Sequence, residues 1–414
     1  MFAAKKMCGT RSCLVKTSQI SGYQIEIFDR IEEVEERWSV VSSSHDIFYG
    51  VDFLRCIEEY PPSGITPYYG LVSRQNEAVG IIYMQHVYVQ LAKHLRKPGG
   101  HHTGFVGQIV STVKHEVVNA VNFHTIVCGN LMLTGRYGYY FKQPIPIDVQ
   151  AELVSSALTS LQEVLKAKGI PAGMILIKDF FEQDIPVQGE KPMGFTKFSV
   201  QPKMILPIKD SWKDFNDYLE DVKSKYRIRA RKAFSLASGI EKRTLEAEEI
   251  AANRAQINRL YRYVSDQAAF NAFTLHEAYF ERLKEALGNQ MTFTSYWQEG
   301  KMVAFFTSIR NFDVLDAHFL GYEPQANSNL HLYLNMLYDL IREGISMRAR
   351  MVDLSRTAIE IKSTVGAVPH PMYLFLKHHS PVLNHLVKQV IGFVKPNEDF
   401  IIRNPFRDEL IKTI

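Results

Sequence analysis

The residues best suited to chemistry are gathered in one short stretch, Leu354-Ser-Arg-Thr-Ala-Ile-Glu-Ile-Lys-Ser-Thr-Val-Gly-Ala367, just behind Asp353. Arg356 offers a planar fork of donors that fits a carboxylate or a phosphate. Lys362 offers a compact charge with three donors, suited to an anionic substrate group. Glu360 could take the proton from an attacking amine, a role that requires partial burial to raise its pKa. Asp353, ending the run Met351-Val-Asp353, could orient the lysine or that amine. Each role has an ordinary structural alternative. Arg356 could pair with Asp353 or Glu360, Glu360 with Lys362, and Asp353 could be a cap. Lys362 could be a solvated side chain near a helix start. Among the four, Lys362 is the first candidate.

Other reactive types carry less. Cys128 lies before Gly129 and a loop, but no Cys-His-Asp order accompanies it, and a buried strand cysteine is the better reading. His318 sits in an alternating strand and His331 in a first helical turn, both ordinary places for a packing residue. His101-His102 and His378-His379 lack a metal-ligand pattern. Cys8, Cys13, Cys56 and Cys128 show no CxxC spacing, which points to reduced thiols and no zinc site.

The elements that must position the cluster come before it. MTFTSYW, a turn at Gln298-Glu-Gly-Lys301 and MVAFFTSIR predict a hairpin, and VLDAHFLGY predicts a third strand. After the polar break Glu323–Asn329, Leu330, Leu334, Met336, Leu337, Leu340 and Ile341 recur at helical spacing, with Gly344 as the stop. A helix starting near Ser328 would present free N–H groups and its positive dipole end to a phosphate. Ser328 and Asn329 are therefore candidate donor-binding residues, with Gly321 at the end of the strand before them.

This order of strands and helix resembles the GNAT acyltransferase superfamily. Leu354–Ala367 more narrowly resembles the two-lobed branch of Fem-type aminoacyl transferases and Bacteroidetes GNAT-like proteins. Glu323–Asn329 departs from the superfamily's glycine-rich turn, and Gly321 stands alone there. The resemblance implies an α/β fold with a mixed sheet, tandem GNAT-like lobes, and an N-acyltransferase in which an amine attacks a thioester or ester directly. The implied donor is acyl-coenzyme A, its phosphates at the Ser328 helix beside Arg356 and Lys362. Backbone N–H groups of Phe319–Gly321 would stabilise the oxyanion. A transfer-RNA-dependent aminoacyl transferase acting on a cell-wall precursor is the first alternative. A non-catalytic nucleotide- or lipid-binding relative is the second.

The rest of the chain fits two lobes. Its 414 residues are too many for one ordinary core. Residues 1–20 read as a leader, 21–208 as an N-terminal lobe, 209–238 as a basic linker helix and 239–414 as a C-terminal lobe holding the site. Short helices, hairpin, strand, helix and strand occur once before residue 200 and once after it. In the first half these are Glu32–Val41, Val51–Glu59, a hairpin turning at Gln75-Asn-Glu77, the strand from Phe123, the helix Asp148–Lys168 and the strand Met174–Phe180. Between the halves, Phe215, Tyr218, Leu219, Val222, Tyr226 and Phe234 make one apolar stripe. Lys223, Lys225, Arg227, Arg229, Arg231 and Lys232 line the other side: a solvated face, a polyanion site, or a surface for anionic lipid. Two helices are expected between Glu246 and Leu287, and a C-terminal one over Pro381–Phe393. A hydrophobic share of 46% and a net charge of +4 belong to a globular protein and do not announce a DNA binder. Without a signal-peptide core or a bilayer-length apolar run, a cytoplasmic location is expected.

Overall fold

A computed structural model describes residues 14–42, 46–90, 122–185, 194–267, 273–385 and 400–407. Cys8, Cys13, His101-His102, most of the irregular stretch 93–122 and the larger part of the expected C-terminal helix lie outside these residues.

In the first half, β1 (Leu14–Ile20), β2 (Tyr23–Phe28), α1 (Glu35–Ser42) and α2 (Val51–Glu59) lead into the hairpin β3 (Ile65–Arg74) and β4 (Glu77–Gln90). Then follow β5 (Asn122–Cys128), β6 (Tyr139–Phe141), α3 (Ile147–Ala167), β7 (Met174–Phe180) and β8 (Thr196–Pro207). The middle holds α4 (Phe215–Asp221) and α5 (Ser224–Leu236). The second half runs β9 (Glu241–Thr244), α6 (Ala247–Ala252), α7 (Arg254–Ser265), α8 (Tyr279–Leu287), β10 (Met291–Gln298), β11 (Lys301–Asn311) and β12 (Val314–Tyr322). It ends with α9 (Pro324–Leu330), α10 (Leu332–Ser346), β13 (Met351–Asp353), α11 (Ile359–Ser363) and β14 (Val368–His378).

All fourteen strands belong to one sheet, ordered β1-β2-β3-β4-β5-β7-β14-β8-β13-β12-β11-β10-β9, with β6 on β4. The order is a palindrome about its centre. In each half a hairpin leads to a strand, a helix and a parallel strand, β5 with β7 and β12 with β13. The last strand of each half is exchanged: β14 lies against β7, and β8 lies against β13. β8 and β14 also pair with each other, so the two halves share one sheet instead of standing as separate ones.

Helices cover both faces. Trp38, Phe53 and Tyr69 from the first half pack in one continuous core with Tyr279, Phe280, Phe293 and Phe305 from the second. On the opposite face α3 covers the first half, through Leu153, Leu158, Leu161 and Leu165. There α10 covers the second half with Leu334, Leu337 and Ile341, joined by Phe215 and Tyr218 of α4.

Four boundaries differ from expectation. The leader ends by Leu14, because β1 pairs with β2 along its length. The linker is two helices, broken at Val222-Lys223, where Val222 bridges to Phe406 and Lys223 N–H donates to Pro405 O at 2.8 Å. Three helices, not two, precede the second hairpin. The helix expected from Ser328 is divided at His331, whose left-handed φ of 51° ends α9 before α10 begins.

Candidate active site at the lobe junction

The exchanged strands bring together side chains that sequence spacing keeps far apart. Asp353 ends β13 and accepts Ser355 N–H at 2.8 Å, while its other oxygen pairs with Lys203 of β8. Asp316 of β12 lies directly across from Asp353 in the parallel register. On the N-terminal side Lys178 and Asp179 end β7. Lys178 donates to the carbonyls of Asn130 (2.9 Å) and Leu133 (2.7 Å) and pairs with Asp179, which accepts Gly135 N–H. Arg356 reaches across the junction to Asp179. Thr134 and Ser355 hydroxyls meet at 2.9 Å, a second link between the halves.

Almost all of this is buried. Asp179 is 0% exposed and Lys362 4%. Burial pulls the Lys362 ammonium down to about 7, opposed by the Asp353 carboxylate. The Lys178 ammonium falls well below its ordinary range through burial and the Arg356 and Lys203 cations. Burial acts on Lys203 too, but Asp353 and Asp316 outweigh it and hold that ammonium above its usual value. The Asp316 carboxyl is pushed well above the carboxylate range by burial and then by Asp353 beside it. The junction thus holds a carboxyl pushed towards its protonated form, a lysine brought down to about 7 and the Lys203–Asp353 ion pair within one polar core.

The backbone here is strained as well. Ser355, Thr357 and Ala358 have φ of 60°, 67° and 49°, and Asp179 has 66°, all in the left-handed region that side-chain-bearing residues rarely adopt. Several buried polar atoms have no hydrogen-bond partner: Asp316 Oδ2, Arg356 Nε and Nη2, and His370 Nε2. Arg356 therefore meets Asp179 as an ion pair off the hydrogen-bonding line. Orphaned polar atoms also occur elsewhere, on Tyr69, Ser73 and Ser265 for example, but those of Asp316, Arg356 and His370 flank the junction, as they would where a ligand completes the set.

Of the residues expected from sequence, Asp353, Arg356 and Lys362 do come together. Three of their surroundings differ. Lys362 is neither a rim residue nor solvated, but lies under the strained loop and donates to Arg356 O. Arg356 pairs with Asp179, not with Asp353 or Glu360. Glu360 is exposed and accepts Ile401 N–H at 3.2 Å, so it lacks the burial that the base role requires.

Ser328 and Asn329 stand in the exposed last turn of α9, away from the cluster. The end of β12 at Tyr322 is six residues past Asp316, about 20 Å at the rise of a strand. The helix expected to take the phosphate is α10, which starts at Leu332 behind a left-handed His331 and not at Ser328. Gly321 is a packing glycine: a Cβ there would come within 2.5 Å of the Leu260 backbone of α7. Phe319 N–H is already bonded to Thr307 Oγ1 at 3.0 Å, so it is not a free oxyanion donor.

Sequence reasoning missed Lys178, Asp179, Lys203, Asp316 and His370. The signal was weak: Asp316 and Lys203 are charged residues inside apolar runs, and nothing local connects them. His318 is a packing residue in this structure, bonded to the Tyr279 hydroxyl at 2.7 Å and pushed down to about 3 by burial.

Comparison with known proteins places this architecture. The profile of the FemAB-like family, described as peptidoglycan biosynthesis/recognition, matches residues 153–400. That is more than half of the chain, and the chain belongs to this family. No curated protein matches it. Among solved structures, FemX shares 13% identity, with 90% of this chain and 100% of that chain covered and a TM-score of 0.49. A conserved protein of unknown function from Bacteroides thetaiotaomicron shares 10%, covering 84% and 98%, with a TM-score of 0.44. A tandem GNAT protein from the clavulanic acid biosynthesis pathway shares 11%, covering 80% and 88%, with a TM-score of 0.42. The chain thus has the fold of the FemAB-like family, its two halves joined in one mixed sheet. Among the described residues no helix is long and apolar enough to cross a membrane.

Proposed function

We propose that the protein forms an amide, moving an aminoacyl or acyl group onto an amine of a peptidoglycan precursor at the lobe junction. Family membership supports the substrate class. The observation that carries the reaction is the junction set of buried Asp316 and Lys362 with half-buried Arg356 and His370, with unpartnered polar atoms on Asp316, Arg356 and His370 beside a strained backbone. An aminoacyl transfer RNA is taken as the donor in preference to acyl-coenzyme A, in keeping with membership of the FemAB-like family.

In this reading the amine nitrogen attacks the ester carbonyl. The new C–N bond forms, the C–O bond to the donor's ribose breaks, and the amine loses a proton. Lys362, poised near neutrality by burial, accepts that proton. Arg356 Nε–H, which lacks an acceptor, meets the developing oxyanion. The protonated Asp316 supplies a proton to the departing ribose oxygen. Lys362 lies under the Ser355–Ala358 loop, so substrate reaches it when that loop moves. Its left-handed residues give it strain to release.

The test incubates purified protein with peptidoglycan-precursor peptides and a panel of charged transfer RNAs and acyl thioesters, reading amide formation by mass and RNA or thiol release. Amide formation from a charged transfer RNA, lost in Lys362→Met, is the expected result. Turnover with a thioester alone would replace the donor, and no turnover with any pair would overturn the reading.

A further inference from the structure

The outer face of α5 is left unexplained by the site. Its packed side consists of Tyr226, Ala230, Ala233 and Phe234, set against α10 and α4. Directly opposite, Ile228 stands 66% exposed, with Lys225, Arg229, Arg231 and Lys232 around it and Leu236 about two turns further on. The helix carries five cations and no acid, and among the described residues none of the five has an acidic partner. The acids of α4 are mostly engaged elsewhere. Asp214 and Asp217 form its capping box and Asp221 holds Lys209, leaving Glu220 facing solvent.

The C-terminal strap meets the start of α5, with Ile401 N–H bonded to the exposed Glu360 carboxylate. Lys223 Nζ donates to Asn404 O at 3.2 Å, so exposed Ile401, Ile402 and Arg403 emerge beside the start of α5. Cations ringing exposed aliphatic side chains fit a bilayer interface, where the charges meet lipid headgroups and the aliphatics enter the acyl boundary. An RNA surface would place aromatic or planar groups outward, and the helix's single aromatic pair, Tyr226 and Phe234, faces inward.

We propose that this face, α5 with Ile401 and Ile402, docks on an anionic lipid bilayer. The interaction is peripheral and electrostatic in its reach, with Ile228 as the inserted side chain. It stands independently of the transfer reaction.

The experiment is co-sedimentation of the whole protein with phosphatidylcholine vesicles and with vesicles also containing phosphatidylglycerol. Binding to the anionic vesicles alone is expected, lost in roughly 1 M salt, where the screening length falls to about 3 Å. Each cation near a charged membrane contributes about fivefold in affinity, so Lys225→Gln with Lys232→Gln should weaken binding roughly thirtyfold. Ile228→Ser should weaken it about tenfold at unchanged salt dependence. These are surface changes, and unfolding midpoints checked alongside should not move. Binding that is absent, or unaltered in the variants, overturns the proposal. So does a face that retains transfer RNA in a salt-dependent way but leaves anionic vesicles in solution.

Discussion

The two halves turn the same corner at the junction and use it differently. In the first, the parallel pairing ends at Cys128 opposite Ile177, and two residues on, Asp179 takes a left-handed φ of 66°. In the second it ends at Asp316 opposite Asp353, and two residues on, Ser355 takes a φ of 60°. The first corner is closed: Lys178 has two carbonyls and a carboxylate, and Asp179 has a lysine, an arginine and a backbone N–H. The second is held more sparsely: Lys362 donates to one carbonyl, and Asp316 Oδ2, Arg356 Nε and His370 Nε2 lack hydrogen-bond partners, against Asn130 Nδ2 at the first once the Asp179–Arg356 pair is set aside. One fold, duplicated, can thus use one copy of a corner as a buttress and leave the other unsatisfied for chemistry.

That contrast is most directly broken at the corner residues themselves. Asp179→Ala removes the partner of two buried cations and should destabilise the protein by about 3 to 5 kcal/mol. Ser355→Ala, at the equivalent position, removes only a hydroxyl contact and should cost about 1 kcal/mol. Urea unfolding of both variants measures the difference. Equal costs would mean that the corners are not specialised.

The lysines should part in the same way. Lys178→Met strands two carbonyls and a carboxylate, and a loss of about 2 to 4 kcal/mol in unfolding free energy is expected. Lys362→Met should lower amide-forming turnover by about 10²- to 10⁴-fold, the usual share of a general base, and leave the fold intact. A variant at 362 that unfolds instead would make this lysine a second buttress.

The pH dependence sharpens the point. The Lys362 ammonium falls from its ordinary 10.5 to about 7 in the folded protein. The unfolded chain therefore binds more protons between those values, and this group's contribution makes the protein more stable as pH rises from 7 towards 10. Below pH 7 both states are protonated and the cost of burying the charge is fully present. The wild-type slope should exceed that of Lys362→Met by up to about 1.4 kcal/mol per pH unit. Parallel stability curves for the two proteins across that range would show that Lys362 is not desolvated.

The repeated strand–helix order was legible because hairpin turns and apolar periodicity are local signals, as at Glu299-Gly300 and along α10. The exchanged strands were not. β8 contains Pro202 and a buried Lys203, and β14 contains Pro369 and Pro371, yet both lie mid-sheet where proline is normally excluded. A register shift between His370 and Met372 falls at Pro371, while Pro369 stays in register opposite Met204. Without those strands, Lys203 and His370 have no reason to be drawn to Asp353. Arg356, Lys362 and Asp353 were legible as a cluster because nine positions or fewer separate them. Asp179 is 177 residues from Arg356, and only the exchange brings them together.

The smallest expected effect tests whether the halves are coupled across the junction. Thr134 belongs to the loop that buttresses Lys178, and its hydroxyl meets that of Ser355 at 2.9 Å in the strained loop over Lys362. Thr134→Val keeps the shape and removes the donor and acceptor, and Ser355→Ala does so from the other side. Each change alone should cost about 1 kcal/mol, and the double variant should cost less than the sum by roughly 0.5 to 1 kcal/mol, because the same bond is lost once. Ser355 N–H keeps its bond to Asp353 in every variant, so the corner itself survives. Additive costs would mean that the hydroxyls do not interact in solution and that the buttress does not restrain the loop. Non-additive costs accompanied by a matching change in turnover would show that the closed corner restrains the loop over the open one.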